Sequence, residues 1–152
     1  MSSDILNRSA VRKALAALLA TALVGSGLPV QAVYAYQKGN FDDMSPVVCV
    51  VSGSSDRTKL TNVAVAVSAF TIELHTFVLY ASDDDSWTEE NSEDRIDLIE
   101  KEITDVLIDN YNNAGVWDAI VVEEPSAIMP IKIGNASYRH EVIFCTIEAY
   151  DD

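Results

Sequence analysis

Val47–Val51, VVCVV, is apolar at all five positions. A strand with one face in water alternates apolar and polar side chains. An unbroken run rich in β-branched residues therefore predicts a strand buried on both faces, in the middle of a sheet. With 152 residues, 49% of them apolar, the chain is long enough to enclose such a strand in one domain without staples.

Upstream, Ser9–Val24 (SAVRKALAALLATALV) has two readings. As an export signal, Arg12 and Lys13 form the basic region, Ala14–Val24 the apolar region, and Val30–Ala32 or Ala32–Ala35 the cleavage site. As a folded helix, Val11, Leu15, Leu18, Leu19 and Leu23 lie on one 3.6-residue stripe, with Arg12, Lys13, Ala17 and Thr21 off it. A signal core needs bulk hydrophobicity and no stripe, so the spacing favours the folded helix. Ser9 is the expected N-cap, and Gly25 or Gly27 the stop before Pro29. The apolar run is too short to span a bilayer.

The remaining elements follow from local pattern. Gln31–Tyr36 reads as extended and Lys38–Ser45 as a loop. Ser52–Asn62 has the Gly, Ser and charged composition of a surface loop. In Val63–Tyr80, Val63, Val65 and Val67 share one parity, and Phe70, Ile72, Leu74, Val78 and Tyr80 the other. The switch near Ser68–Ala69 predicts a bulge or break, with a regular strand over Ala69–Ala81 that points Glu73 and His75 away from the core. Ser82–Asp94 is an acidic connection lacking the glycine and ligand spacing of a calcium loop, so it reads as a solvated loop and helix N-terminus. Ile96, Ile99, Ile103, Val106, Leu107 and Tyr111, with Leu98 flanking, then mark a second helix that stops at Asn112–Gly115. Trp117 is expected over the helix end, and Trp87 in the more exposed position. Asp118–Glu124, Ser126–Ile133 and Ser137–Tyr150 read as extended segments, the middle one held to an edge by Pro125 and Pro130, with a turn at Gly134–Asn135. The last should run inside the sheet. The expected class is α+β: a mixed, mostly antiparallel sheet with two helices on one face, in the order α-β-β-β-α-β-β.

Net charge is −14 and unevenly spread. Residues 1–82 carry Arg8, Arg12, Lys13, Lys38, Arg57 and Lys59 against Asp4, Asp42, Asp43, Asp56 and Glu73, leaving nineteen acids and four bases for the rest. Such a surface argues against gripping nucleic acid phosphates, which requires lysine and arginine, but suits a passage that DNA must not adhere to.

Sites of chemistry are sparse in the sequence. There is no GxSxG, HExxH, CxxC or GxxxxGK[ST]. Cys49 and Cys145 sit in apolar runs and read as buried free thiols, with a Cys49–Cys145 bridge worth testing if the chain is exported. His75, His140, Glu73 and Glu141 could meet across strands as a metal or acid–base site. Strand alternation more simply makes them exposed polar positions on the solvent face. Neither catalysis nor a cofactor is expected.

Taken together, the opening VRKALAALLATAL helix, VQAVYAYQKGNFDDMSPVVCVVSGSSDR, the FTIELHTFVLYAS strand, DRIDLIEKEITDVLIDNYNNAGVW and the closing YRHEVIFCTIEAY strand resemble the tail terminator family of long-tailed, siphophage-type bacteriophages. The likeness is one of pattern and order over most of the chain. It implies a virion protein at the head-proximal end of the tail, made in the host cytoplasm. It also implies a ring, commonly a hexamer, that docks on the last ring of tail-tube protein, ends its polymerisation and meets the head connector, with DNA passing through the lumen unbound and no membrane involved. Residues expected at subunit contacts are Asp56, Arg57 and Lys59 in one loop and Asp83, Asp84, Asp85 and Trp87 in the other. The basic pair Arg57 and Lys59 departs from an otherwise acidic surface and would face the acidic loop of the adjacent protomer. Rival readings are a different neck protein of the head–tail joint, and a secreted acidic binding protein with residues 1–32 as signal peptide.

Overall fold

The computed structural model describes residues 7–56, 67–80, 87–113 and 115–150, omitting the side chains of residues 54–56, 67–68, 123–125 and 149–150. The order is α1 (Arg8–Leu23), β1 (Ala32–Tyr34), β2 (Val47–Asp56), β3 (Val67–Leu79), α2 (Glu89–Asp109), β4 (Ala119–Ile133) and β5 (Ala136–Tyr150). This is the expected α+β succession, with the helices on one sheet face.

Helix α1 forms because its apolar stripe has a sheet to bury against. Val11, Leu15, Leu19 and Leu23 are all buried, with Ala16 beside them, and Leu18 is half-covered. Burying each large side chain contributes about 1.5–3 kcal/mol. The cap is Asn7, not Ser9: its side chain accepts from the Ala10 amide at 3.1 Å, starting the helix two residues earlier. Arg12, off the stripe, reaches from α1 to the Ala35 carbonyl and the Ser52 hydroxyl, tying the helix to the sheet edge.

Helix α2 buries Ser92, Ile96, Ile99, Ile103 and Leu107 against the same face. Its N-cap is Thr88, whose hydroxyl accepts from the Asn91 amide, so the helix begins at Glu89, inside the acidic segment expected to hold a loop and the helix N-terminus. Glu89 and Glu90 then lie in the first turn, where their charge opposes the positive end of the helix dipole. Tyr111 lies past the helix end and is exposed, contrary to its place in the predicted stripe. Trp117 fulfils its expected role: fully buried, it donates from Nε1 to the Asn110 carbonyl and closes the helix end.

Among the described residues, five strands form one sheet in the order β1-β2-β3-β5-β4. β1 runs parallel to β2, and the other neighbours are antiparallel. The VVCVV strand is interior, as expected, but β2 continues through Ser52–Asp56, part of the predicted loop, with a bulge between Ser52 and Ser55. Glycine at position 53 permits this, because a Cβ there would stand 3.0 Å from the Thr71 carbonyl oxygen. The regular strand expected at Ala69–Ala81 is β3, two residues earlier at each end, and it pairs with β5 in unbroken register from Val67 to Leu79, so the bulge or break expected near Ser68–Ala69 is not there; the irregularity lies on β2 instead. Asp118–Glu124 and Ser126–Ile133 are not two strands: β4 is one edge strand with a register shift between Glu123 and Ala127 that absorbs Pro125. Pro130 is tolerated because β4 is at the edge. Gly134, at φ 64°, makes the turn into β5.

The sheet has two unequal faces. The helix face holds the larger core, where Val48, Val50, Phe70, Ile72, Leu74, Ile143, Cys145 and Ile147 meet both helices. On the opposite face the loop between β1 and β2 folds over one end. Asp42 and Asp43 adopt left-handed backbone (φ 51° and 63°), which aspartate tolerates, and this turns Phe41 onto Phe77 and Tyr138. Phe41, Val47, Cys49, Phe77, Leu79 and Tyr138 form this second core. Cys49 and Cys145 thus lie in different cores on opposite faces, which rules out a disulfide between them.

Candidate functional site

Three surfaces carry the chemistry that this fold can offer: the edge strand, the second sheet face, and a cleft at the end of α1. The predicted contact residues distribute unevenly over them. Asp56 ends β2, opposite Ala69, while Arg57, Lys59, Asp83, Asp84 and Asp85 lie outside the described residues. Trp87 is half-buried, touching both cores, with the Arg95 guanidinium 5.3 Å from its ring centroid. It is the more exposed tryptophan, as the sequence suggested.

Arg95 also donates from Nη1 to the Pro29 carbonyl at 3.0 Å, so it bridges α2 to the turn after α1. Val24, Leu28, Pro46, Trp87 and Arg95 border a cleft of about 400 Å³ there. Its walls are mixed, with Gln31 and Ser45 among the apolar side chains, and its one charge is already engaged with an aromatic ring and a carbonyl.

The edge strand exposes more apolar surface. Val121, Val122, Ile128 and Met129 are 42–50% accessible, and they lie on both faces of β4, with no neighbouring strand on its outer side among the described residues. A 15-residue edge bearing large apolar side chains is a ready template for another chain. Sequence reading confined this segment to an edge through its prolines, but did not single it out as a contact surface. The signal available was the pair Ile128–Met129 between those prolines.

On the second face, strand alternation places Glu73, His75 and Phe77 of β3 beside His140 and Val142 of β5. The expectation that these polar residues simply face solvent is overturned. His140 is 8% exposed, its ring stacked parallel on Phe77 with centroids 4.5 Å apart. His75 Nδ1 lies 2.8 Å from His140 Nε2, and His75 Nε2 lies 2.9 Å from Glu73 Oε1. The cluster is one hydrogen-bonded chain, Glu73–His75–His140. Burial, and then the neighbouring His75, lower the His140 pKa to about 4. Both nitrogens of His75 are engaged and Nδ1 of His140 is buried without a partner, so the chain presents no basic nitrogen to solvent. Among the described residues, no group of three His, Cys, Asp or Glu side chains is arranged to hold a metal ion.

Glu141 does not join this chain, because its alternation places it on the helix face. There it is 3% exposed and accepts from the Ser126 hydroxyl at 2.5 Å. Burial raises its pKa, the hydroxyl opposes the rise, and Glu100 and Asp97 of α2 add to it. On the same face Arg139 pairs with Glu93 of α2 at 3.4 Å. The odd-parity neighbours Phe77 and Leu79 were the available sign that a second apolar face surrounded His75.

Among the described residues, no helix is long and apolar enough to cross a membrane. No protein-family model matches the chain, and no curated protein matches it.

Proposed function

We propose that this chain is a structural protein of a phage tail, a terminator that assembles into a ring on the last tail-tube ring, stops tube growth and forms the joint to the head connector. The observation that carries the reading is the asymmetric exposure of the sheet. Two helices cover one face, whereas the long β4 edge leaves Val121, Val122, Ile128 and Met129 uncovered. Surface of this kind favours a neighbouring subunit, and edges of unlike length, β1 of three residues and β4 of 15, suit the head-to-tail contact that closes a ring. The element order agrees with the resemblance drawn from the sequence, and a net charge of −14 suits a lumen that DNA traverses without binding.

Cryo-EM and native mass spectrometry of the full chain test the assembly. The expected result is a closed ring, commonly six copies, with β4 at the subunit contact. A monomer at working concentration removes the reading. A ring that leaves tube elongation untouched moves the protein to another position in the neck.

A further inference from the structure

We propose that Glu73, His75 and His140 form a one-proton latch across β3 and β5, which holds the second face of the sheet closed with one or no added proton and opens when it takes two. The inference concerns the fold itself and stands apart from the tail reading. Its premise is the direction of each hydrogen bond. A carboxylate only accepts, so His75 Nε2 carries the proton donated to Glu73 Oε1 at 2.9 Å. In a neutral ring this leaves His75 Nδ1 bare, and it accepts from His140 Nε2–H at 2.8 Å. His140 Nδ1 then has no proton and, buried, no partner. One carboxylate fixes both tautomers.

A proton arriving from solvent has one open place, His140 Nδ1. Its addition lets the bridging proton shift from His140 Nε2 to His75 Nδ1. The positive charge then rests on His75, 2.9 Å from the Glu73 carboxylate, while His140 remains neutral in its stack on Phe77. The chain stays intact. A second proton would make both rings donors across the same 2.8 Å gap, so the bridge breaks and His140 leaves the stack as an imidazolium.

Among the described side chains, none offers His140 a countercharge in place. On β2 the group facing His75 is Cys49, whose thiol burial pushes up, with Lys38 of the overlying loop beside it. On β3 the charged neighbour is Glu73, already engaged by His75. On β5 Tyr138 is the nearest titratable side chain of the same face, pushed up to about 12 by burial and by Asp43 and Asp42 of the loop. β4 sets Met129 opposite His140, and the backbone of Glu123 is in register with Phe144. The residue that moves lies beside Phe77, which carries Phe41 and the loop above it. Opening of the latch therefore loosens that loop and the adjoining ends of β3 and β5.

The test is histidine nitrogen NMR on the full-length labelled protein from pH 7.5 to 3.5, with amide exchange followed in parallel. At neutral pH the expected result is a protonated His140 Nε2, an unprotonated His140 Nδ1, and a coupling through the hydrogen bond between His75 Nδ1 and His140 Nε2. On acidification that coupling and the amide protection of residues 75–79 and 138–142 should disappear together. His140→Phe, which keeps the stack and removes the titration, should abolish this acid step. The proposal is overturned if the coupling is absent at neutral pH, if protection is lost while the coupling persists, or if a folded His140→Phe protein shows the same acid step. If that variant does not fold, the wild-type coupling and exchange decide alone.

Discussion

His75 and His140, 65 residues apart in sequence, meet nitrogen to nitrogen at 2.8 Å across the β3–β5 pair. Burial of His140, with the His75 contact adding to it, sets how stability depends on pH. The His140 pKa falls from 6.5 in the unfolded chain to about 4 in the fold. Between these values the unfolded state binds the extra proton, so the stability present above pH 6.5 declines as pH falls and is fully withdrawn near pH 4. That difference amounts to about 3 kcal/mol. Urea titrations at pH 7 and pH 4.5 should show the decline in wild type, and a much smaller one in His140→Phe.

Glu141 acts in the opposite sense. Its folded pKa is raised, so its contribution is present below the unfolded value of 4.5 and lost as pH rises through the folded one. Glu141→Gln keeps a partner for the Ser126 hydroxyl and removes the buried charge. The variant should be more stable than wild type at pH 8 by about 1 kcal/mol, with the gain shrinking toward pH 4. Equal stability at both pH values would contradict the assignment.

Leu15 is fully buried in the layer between α1 and the sheet. Leu15→Ala should cost about 3 kcal/mol in denaturant unfolding. Leu18→Ala, on the half-covered flank of the same helix, should cost clearly less. Equal costs would mean that α1 is not packed by the stripe described.

These elements differ in how far the sequence disclosed them. The α1 and α2 stripes, VVCVV and the Gly134–Asn135 turn were legible because each is a local periodicity or a local backbone demand, whereas the parity switch before Phe70 misled, since β3 passes through it in unbroken register with β5. Ser52–Asp56 was not, since its turn-like composition is overridden by pairing with β3 and by Gly53 lying against Thr71. The histidine chain was legible only as a possibility. It depends on the register Phe77↔His140, which sequence spacing does not set, and on Phe41 arriving from a loop to cover that face. Of the expected contact residues, Trp87 has a described environment, while the apolar edge at Val121–Met129 went unmarked because each exposed residue is unexceptional alone.

That edge supplies the next prediction. Ile128 and Met129 are each 50% exposed, on opposite faces of β4. Ile128→Lys with Met129→Lys should leave unfolding within about 0.5 kcal/mol of wild type while abolishing assembly in analytical ultracentrifugation. Unchanged oligomer mass in the folded double variant would place the subunit contact elsewhere.

Tube elongation is the measurement nearest to the proposed role. Purified full chain is added at far below one copy per subunit to polymerising tail-tube protein, and tube length is followed by light scattering and electron microscopy. The account predicts that elongation stops, with the protein seated as a ring at the tube end. Tubes that grow to full length with bare ends would contradict it.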